Sequence, residues 1–125
     1  MSKKWDLGER TMDFAVAVFR FCRTLPRTEE IRDIVRQLRR AASSVAANCR
    51  ATRRAQSDAA FVAKAAVVIE ESDESGFWLE LLVRIEAVKP AAVSALEQES
   101  SELVAIFTAS RKTVGARVRK QRGKP

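Results

Sequence analysis

The 125-residue chain has no histidine and no tyrosine, and only two cysteines, three prolines and four glycines. Without histidine it lacks the commonest general base and the commonest nitrogen ligand for a metal. Cys22 and Cys49 have no close-spaced metal-binding partner, so the sequence assembles no zinc site. Both stand among apolar residues and read as buried free thiols rather than as a secreted disulfide framework, which points to a reducing cytoplasm. Gly8, Gly76, Gly115 and Gly123 form neither a phosphate-cradling loop nor a dinucleotide fingerprint. So few turn residues exclude a many-stranded β fold. No segment approaches the roughly 20 apolar residues of a membrane span, and no apolar stretch follows the charges after Met1 as a secretory leader requires. The expectation is a soluble protein that is not an enzyme and uses no cofactor.

What the chain does have is helical periodicity and basic charge. It is 46% hydrophobic and 31% charged, with 23 basic against 16 acidic side chains and a formal charge of +7. This length suits one domain with one shared core. Phe14, Val18, Phe21 and Leu25 recur on one face of a first helix, expected from Leu7 to the Leu25-Pro26 break. Thr28 followed by Glu29 and Glu30 caps a second helix, in which Ile31, Val35, Leu38, Ala42, Val45 and Cys49 form the cleanest apolar seam of the chain. A lapse from Ala51 to Ser57 predicts a turn. A third helix from Asp58 to Val88 follows, with Phe61, Ala65, Val68, Ser72, Ser75, Leu79 and Leu82 inward. Pro90 opens a fourth, with Leu96, Leu103, Phe107, Ser110 and Val114 inward, fraying after Gly115. Four amphipathic helices on short connections predict an all-α, antiparallel up-down-up-down four-helix bundle over residues 1–116, with 117–125 as a basic flexible tail.

The charges divide into two groups. Arg36, Arg40, Arg50 and Arg54 run beside the second-helix seam, while Glu70, Glu71, Asp73 and Glu74 cluster on the third. A turn centred near Ala55 sets Arg39 opposite Glu70 or Glu71, and Arg36 opposite Asp73 or Glu74, as structural salt bridges rather than a metal or acid-base site. By subtraction, Arg50, Arg53 and Arg54 with Lys112, Arg117, Arg119, Lys120 and Arg122 remain for phosphate contacts to nucleic acid. Aromatic residues fall mostly at core spacing, so stacking on bases and sequence-specific reading are not expected; one ring of Phe77-Trp78 must point away from the core. Two readings stay open: a nucleic-acid-binding accessory protein, and a structural or protein-interaction module whose charges serve solubility.

The run from Gln37 to Asn48, QLRRAASSVAAN, resembles the second-helix motif of the bacterial four-helix-bundle family known as 23S rRNA-intervening sequence proteins. The likeness continues through Phe61, Lys64, Glu71, Glu74 and Phe77 to Leu82, then through Glu99, Glu102, Leu103 and Ser110 to Thr113. It implies the same bundle fold, assembly into a ring-like homopentamer, no assigned enzymatic activity, and kinship to the basic accessory protein of diversity-generating retroelements, which works with a reverse transcriptase and nucleic acid. Ala46 stands where the motif often has proline, and Arg50-Ala51 where many members have an acid and glycine. The end of the second helix is thereby more basic than in many relatives.

Overall fold

The computed structural model describes residues 6–123, which form four α-helices and no strand: α1 (Leu7–Cys22), α2 (Glu29–Arg53), α3 (Asp58–Arg84) and α4 (Pro90–Arg122). Each helix packs against its neighbours in the chain, α4 also reaches α1, and the short connections make consecutive helices antiparallel. This is the expected up-down-up-down bundle.

The helix starts follow from the capping chemistry. Asp6 accepts a hydrogen bond from the Glu9 amide, Thr28 from Ile31, and Ser57 from Ala60, while Pro90 opens α4 where a missing donor costs nothing. Two boundaries differ from the sequence expectation. α3 stops at Arg84, because Glu86 turns into the left-handed region at φ 61° and the Ala87 amide closes back on the Leu82 carbonyl at 3.0 Å. α4 does not fray after Gly115 but continues unbroken to Arg122, so residues 117–122 of the expected basic tail are helical. Lys124 and Pro125 lie outside the described residues.

The core is a single cluster drawn from all four helices. Phe14 and Val18, Leu38 and Val45, Val68 and Leu82, and Leu103 and Phe107 meet within it. The second-helix seam is buried as its period requires, except that Val35 is half-buried and Ile34 takes the inward place beside it. The middle of the bundle is small and polar: Ala41, Ala42, Ser72, Ser75 and Ser100 are all buried. Ser75 and Ser100 donate to carbonyls within their own helices, whereas the Ser72 hydroxyl has no partner among the described residues. Gly76 lets α3 come so close to α4 that an added Cβ would sit 3.0 Å from Ser100 Oγ. Both cysteines are free and buried; burial pushes the Cys22 thiol up to about 11, which keeps it protonated.

Candidate nucleic-acid interface

Three helix ends carry the basic residues to one place. The turn from α2 to α3 lies beside the C-terminal part of α4, since Thr52, Ala55, Asp58 and Phe61 line a common depression with Val114 and Arg117. Two basic segments more than fifty residues apart in sequence therefore share one end of the bundle. Between Asp33 and Asp58 the chain has no acid, and it has none after Glu102, so this end holds few carboxylates. The helix macrodipoles largely offset one another here, because α2 and α4 finish where α1 and α3 begin.

The residues assigned to phosphate contacts fall into three groups. Arg50 and Arg54, one turn apart on α2, flank a groove floored by Ala47, Ala51, Ala55 and Ala60, with Lys64 of α3 on its far side. Arg53 and Arg117 are turned toward carboxylates. Arg53 Nη1 lies 3.9 Å from Asp6 at the start of α1, and Arg117 Nε lies 3.3 Å from Asp58 at the start of α3. Lys112, Arg119, Lys120 and Arg122 are exposed on α4. With Arg117 level with Asp58, the five residues after it carry α4 about 7.5 Å further at the rise of an α-helix. Arg119, Lys120 and Arg122 thus project past the first residue of α3.

Lys64 enters the sequence analysis only through the family likeness and not among the residues expected to contact phosphate. Its position two turns into α3 puts it level with Arg50 once α2 and α3 run antiparallel, so the turn position and the helical period together would have found it.

The arginine strip and the acidic cluster do meet, but through a different arginine. Arg40, not Arg36 or Arg39, reaches across to α3: Nη1 is 2.9 Å from Glu71 and Nη2 contacts Glu74. Arg36 instead lies 3.9 Å from Asp33 on its own helix, and Arg39 turns the other way, over the ring of Phe19 in α1. The antiparallel register was right in outline. A one-residue step, however, rotates a side chain by about 100° around the helix, enough to move it from the α3 face to the α1 face. Glu70 and Asp73 face solvent, so the acidic cluster is split between two sides of α3.

Glu74 also accepts a hydrogen bond from Trp78 Nε1 at 2.9 Å, and with Arg40 this holds its carboxyl below the usual range. Trp78 is thereby anchored, half-buried, while Phe77 meets it edge-on and remains 54% exposed. A depressed carboxyl contributes stability above its unfolded pKa and loses it as pH falls through the folded value. Glu74→Gln is therefore expected to destabilise the fold by about 1 kcal/mol at neutral pH, since the pair is partly exposed. The difference should shrink as pH falls below the usual carboxylate range of about 4, as followed by urea unfolding at neutral and acid pH.

Among the described residues no helix is long and apolar enough to cross a membrane, and no three of Cys, Asp and Glu are grouped to hold a metal ion.

A family model described as 23S rRNA-intervening sequence protein matches residues 3–109. Among solved structures, the chain is similar to a protein of unknown function from the S23 ribosomal protein family of Bacteroides thetaiotaomicron VPI-5482. The two are 26% identical with a TM-score of 0.79 over 85% of this chain and 98% of the other. No curated protein matches.

Proposed function

This chain belongs to the 23S rRNA-intervening sequence protein family, and from that premise we propose that it is a non-catalytic, oligomeric bundle that binds RNA or DNA through phosphate contacts at its cationic end. The observation that carries the reading is the convergence of Arg50, Arg54 and Lys64 with the projecting Arg119, Lys120 and Arg122 on one end of the molecule. Such an arrangement follows a phosphate backbone by charge and spacing. Arg53 and Arg117 contribute less, because Asp6 and Asp58 offset part of their positive potential. The exposed rings are too few for a stacking platform, so binding is insensitive to sequence.

Self-association is part of the proposal. Met12 and Val16, one turn apart on α1, and Phe77 and Ile85 on the α3 side are large apolar side chains left at the surface, as a contact between copies requires. A homopentamer is the assembly that the resemblance of the second-helix motif implies, and light scattering of the purified chain reads its number directly. A role beside a nucleic-acid enzyme such as a reverse transcriptase belongs to the same reading.

The test is a salt titration of binding to mixed-sequence RNA and DNA. At about 50 mM salt the chain should bind both, with affinity falling steeply as salt rises. The triple variants Arg50→Gln/Arg54→Gln/Lys64→Gln and Arg119→Gln/Lys120→Gln/Arg122→Gln should each lose about tenfold or more and flatten the salt slope by about 2 to 3. All six side chains are exposed, so helical content should be unchanged. No binding by the unaltered chain at low salt, or full binding by both triple variants, would leave a structural module whose charges serve only solubility.

A further inference from the structure

At the opposite end of the bundle, the connection from α1 to α2 borders a cavity of about 460 Å³. Its apolar lining comes from Phe19 and Cys22 of α1, Leu25 of the connection, and Ile31 and Val35 of α2. Four arginines, Arg23, Arg27, Arg32 and Arg39, also line it, and no acidic residue does. Three separate segments supply them: Arg23 caps the end of α1, Arg27 lies in the connection, and Arg32 and Arg39 stand two turns apart on α2.

The acids of the neighbourhood are turned elsewhere. Asp33 lies by Arg36, and Glu29 and Glu30, though in the first turn of α2, do not border the cavity. Among the described residues Arg23, Arg27 and Arg32 have no ion-pair partner. Arg39 Cζ lies over the Phe19 ring, 5.8 Å from its centroid. The Cys22 thiol, held neutral by burial, adds no negative charge to the lining.

Four like charges around an apolar hollow repel one another until an anion sits among them. Guanidinium forks suit phosphate oxygens, and an aromatic ring with an arginine beside it suits a planar apolar group. The volume falls within the range of small-molecule sites. We infer that this cavity binds a phosphate monoester carried on a planar aromatic group, the chemistry of a nucleotide, with its ring against Phe19 and Arg39 and its phosphate on Arg23, Arg27 and Arg32. A free nucleotide and the 5′-phosphorylated end of a strand share this chemistry. The site lies at the other end of the bundle from the phosphate-tracking surface and does not depend on it.

Calorimetry of the full chain with AMP, adenosine and inorganic phosphate tests the assignment. AMP should bind about tenfold or more tightly than either fragment, because each lacks one of the two contacts. Arg27→Gln/Arg32→Gln should weaken AMP by about tenfold or more, and Phe19→Leu should weaken AMP while leaving inorganic phosphate unchanged. The far-end variant Arg50→Gln/Arg54→Gln/Lys64→Gln should bind AMP normally, which keeps this result separate from that of the nucleic-acid interface. A 5′-phosphorylated trinucleotide then identifies the source: tighter binding than AMP, lost in Arg27→Gln/Arg32→Gln, means a strand end, and binding no tighter than AMP means a free nucleotide. The three arginines and Phe19 lie at the surface, so unchanged helical content and melting verify the fold of each variant. AMP binding no tighter than that of inorganic phosphate, or unaffected by Arg27→Gln/Arg32→Gln, would overturn the inference.

Discussion

Replacing Phe107 by alanine should lower the unfolding free energy by about 3 to 5 kcal/mol, the largest effect expected of any single substitution in this chain. Phe107 is 1% exposed and is the largest of the fully buried side chains, set in α4 where all four helices contribute to one cluster. Truncation removes the apolar surface of a ring and leaves a hollow. The neighbours in that cluster, leucines and valines fixed on helices, close over it only in part. Against a typical domain stability of about 5 to 15 kcal/mol, such a loss takes much of the total. Urea unfolding followed by circular dichroism reads it. Phe107→Leu, which keeps most of the volume, should recover more than half. A loss below about 1 kcal/mol would mean that the ring is not enclosed as described.

Arg10→Met should cost about 2 kcal/mol, and its effect should be concentrated on α1. Of the neighbouring helix pairs, α1 and α4 approach each other least, and a charged fork bridges them. Arg10 Nε donates to Glu99 at 2.7 Å and Nη2 at 2.8 Å to the other oxygen of the same carboxylate, while Nη2 also donates to Glu102 at 2.8 Å. Arg10 is 17% exposed at its side chain and Glu99 26%, so this is not an ordinary surface pair. The hydrogen bonds to Glu99, above all, push the guanidinium further above its already high range, so it stays charged at every working pH. Removing it leaves a partly buried carboxylate without its partner, which costs more than the pair itself is worth. Hydrogen exchange should rise in α1 more than in α2 or α3. Arg10→Lys should recover little, because an ammonium group cannot reproduce the two parallel bonds. The double variant Arg10→Met/Glu99→Leu should be more stable than Arg10→Met alone. If Arg10→Met costs less than about 0.5 kcal/mol, the fork counts only as a surface pair.

The Arg10 fork illustrates what cannot be read along a chain. Arg10 and Glu99 are separated by most of the protein, and no spacing or pattern in the sequence pairs them. Only the closing of α4 against α1 reveals them as partners. Arg40 makes the same point at closer range. The antiparallel pairing of α2 and α3 was legible, since it needs only the turn position. The choice among Arg36, Arg39 and Arg40 depends on the rotation of each helix about its axis, which the apolar period defines to within about a residue and no better.

The basic segment after Gly115 departs from its sequence expectation for a related reason. With little apolar content of its own it reads as a solvated tail, yet it continues α4 as helix, and Arg117 is tied to Asp58 across the bundle. Propagating a helix already nucleated and packed costs far less than starting one, so the preceding turns carry these residues with them. The consequence is geometric: the cations project as a spaced helical array. The cavity among Arg23, Arg27, Arg32 and Arg39 was likewise invisible, because its arginines are scattered over two helices and the segment between them.

By itself the sequence determined the number of helices, their starts, the bundle topology and most of the core, because the apolar period, the capping residues and the prolines are local signals read over a few turns. It also determined that the chain is strongly basic. Only the tertiary structure decided which cations are neutralised and which are free, that two distant basic segments share one end with Lys64 between them, and that a second cationic hollow lies at the other. These depend on the relative rotation and axial offset of packed helices, which arise from the fit of side chains across the core and leave no trace in any single segment.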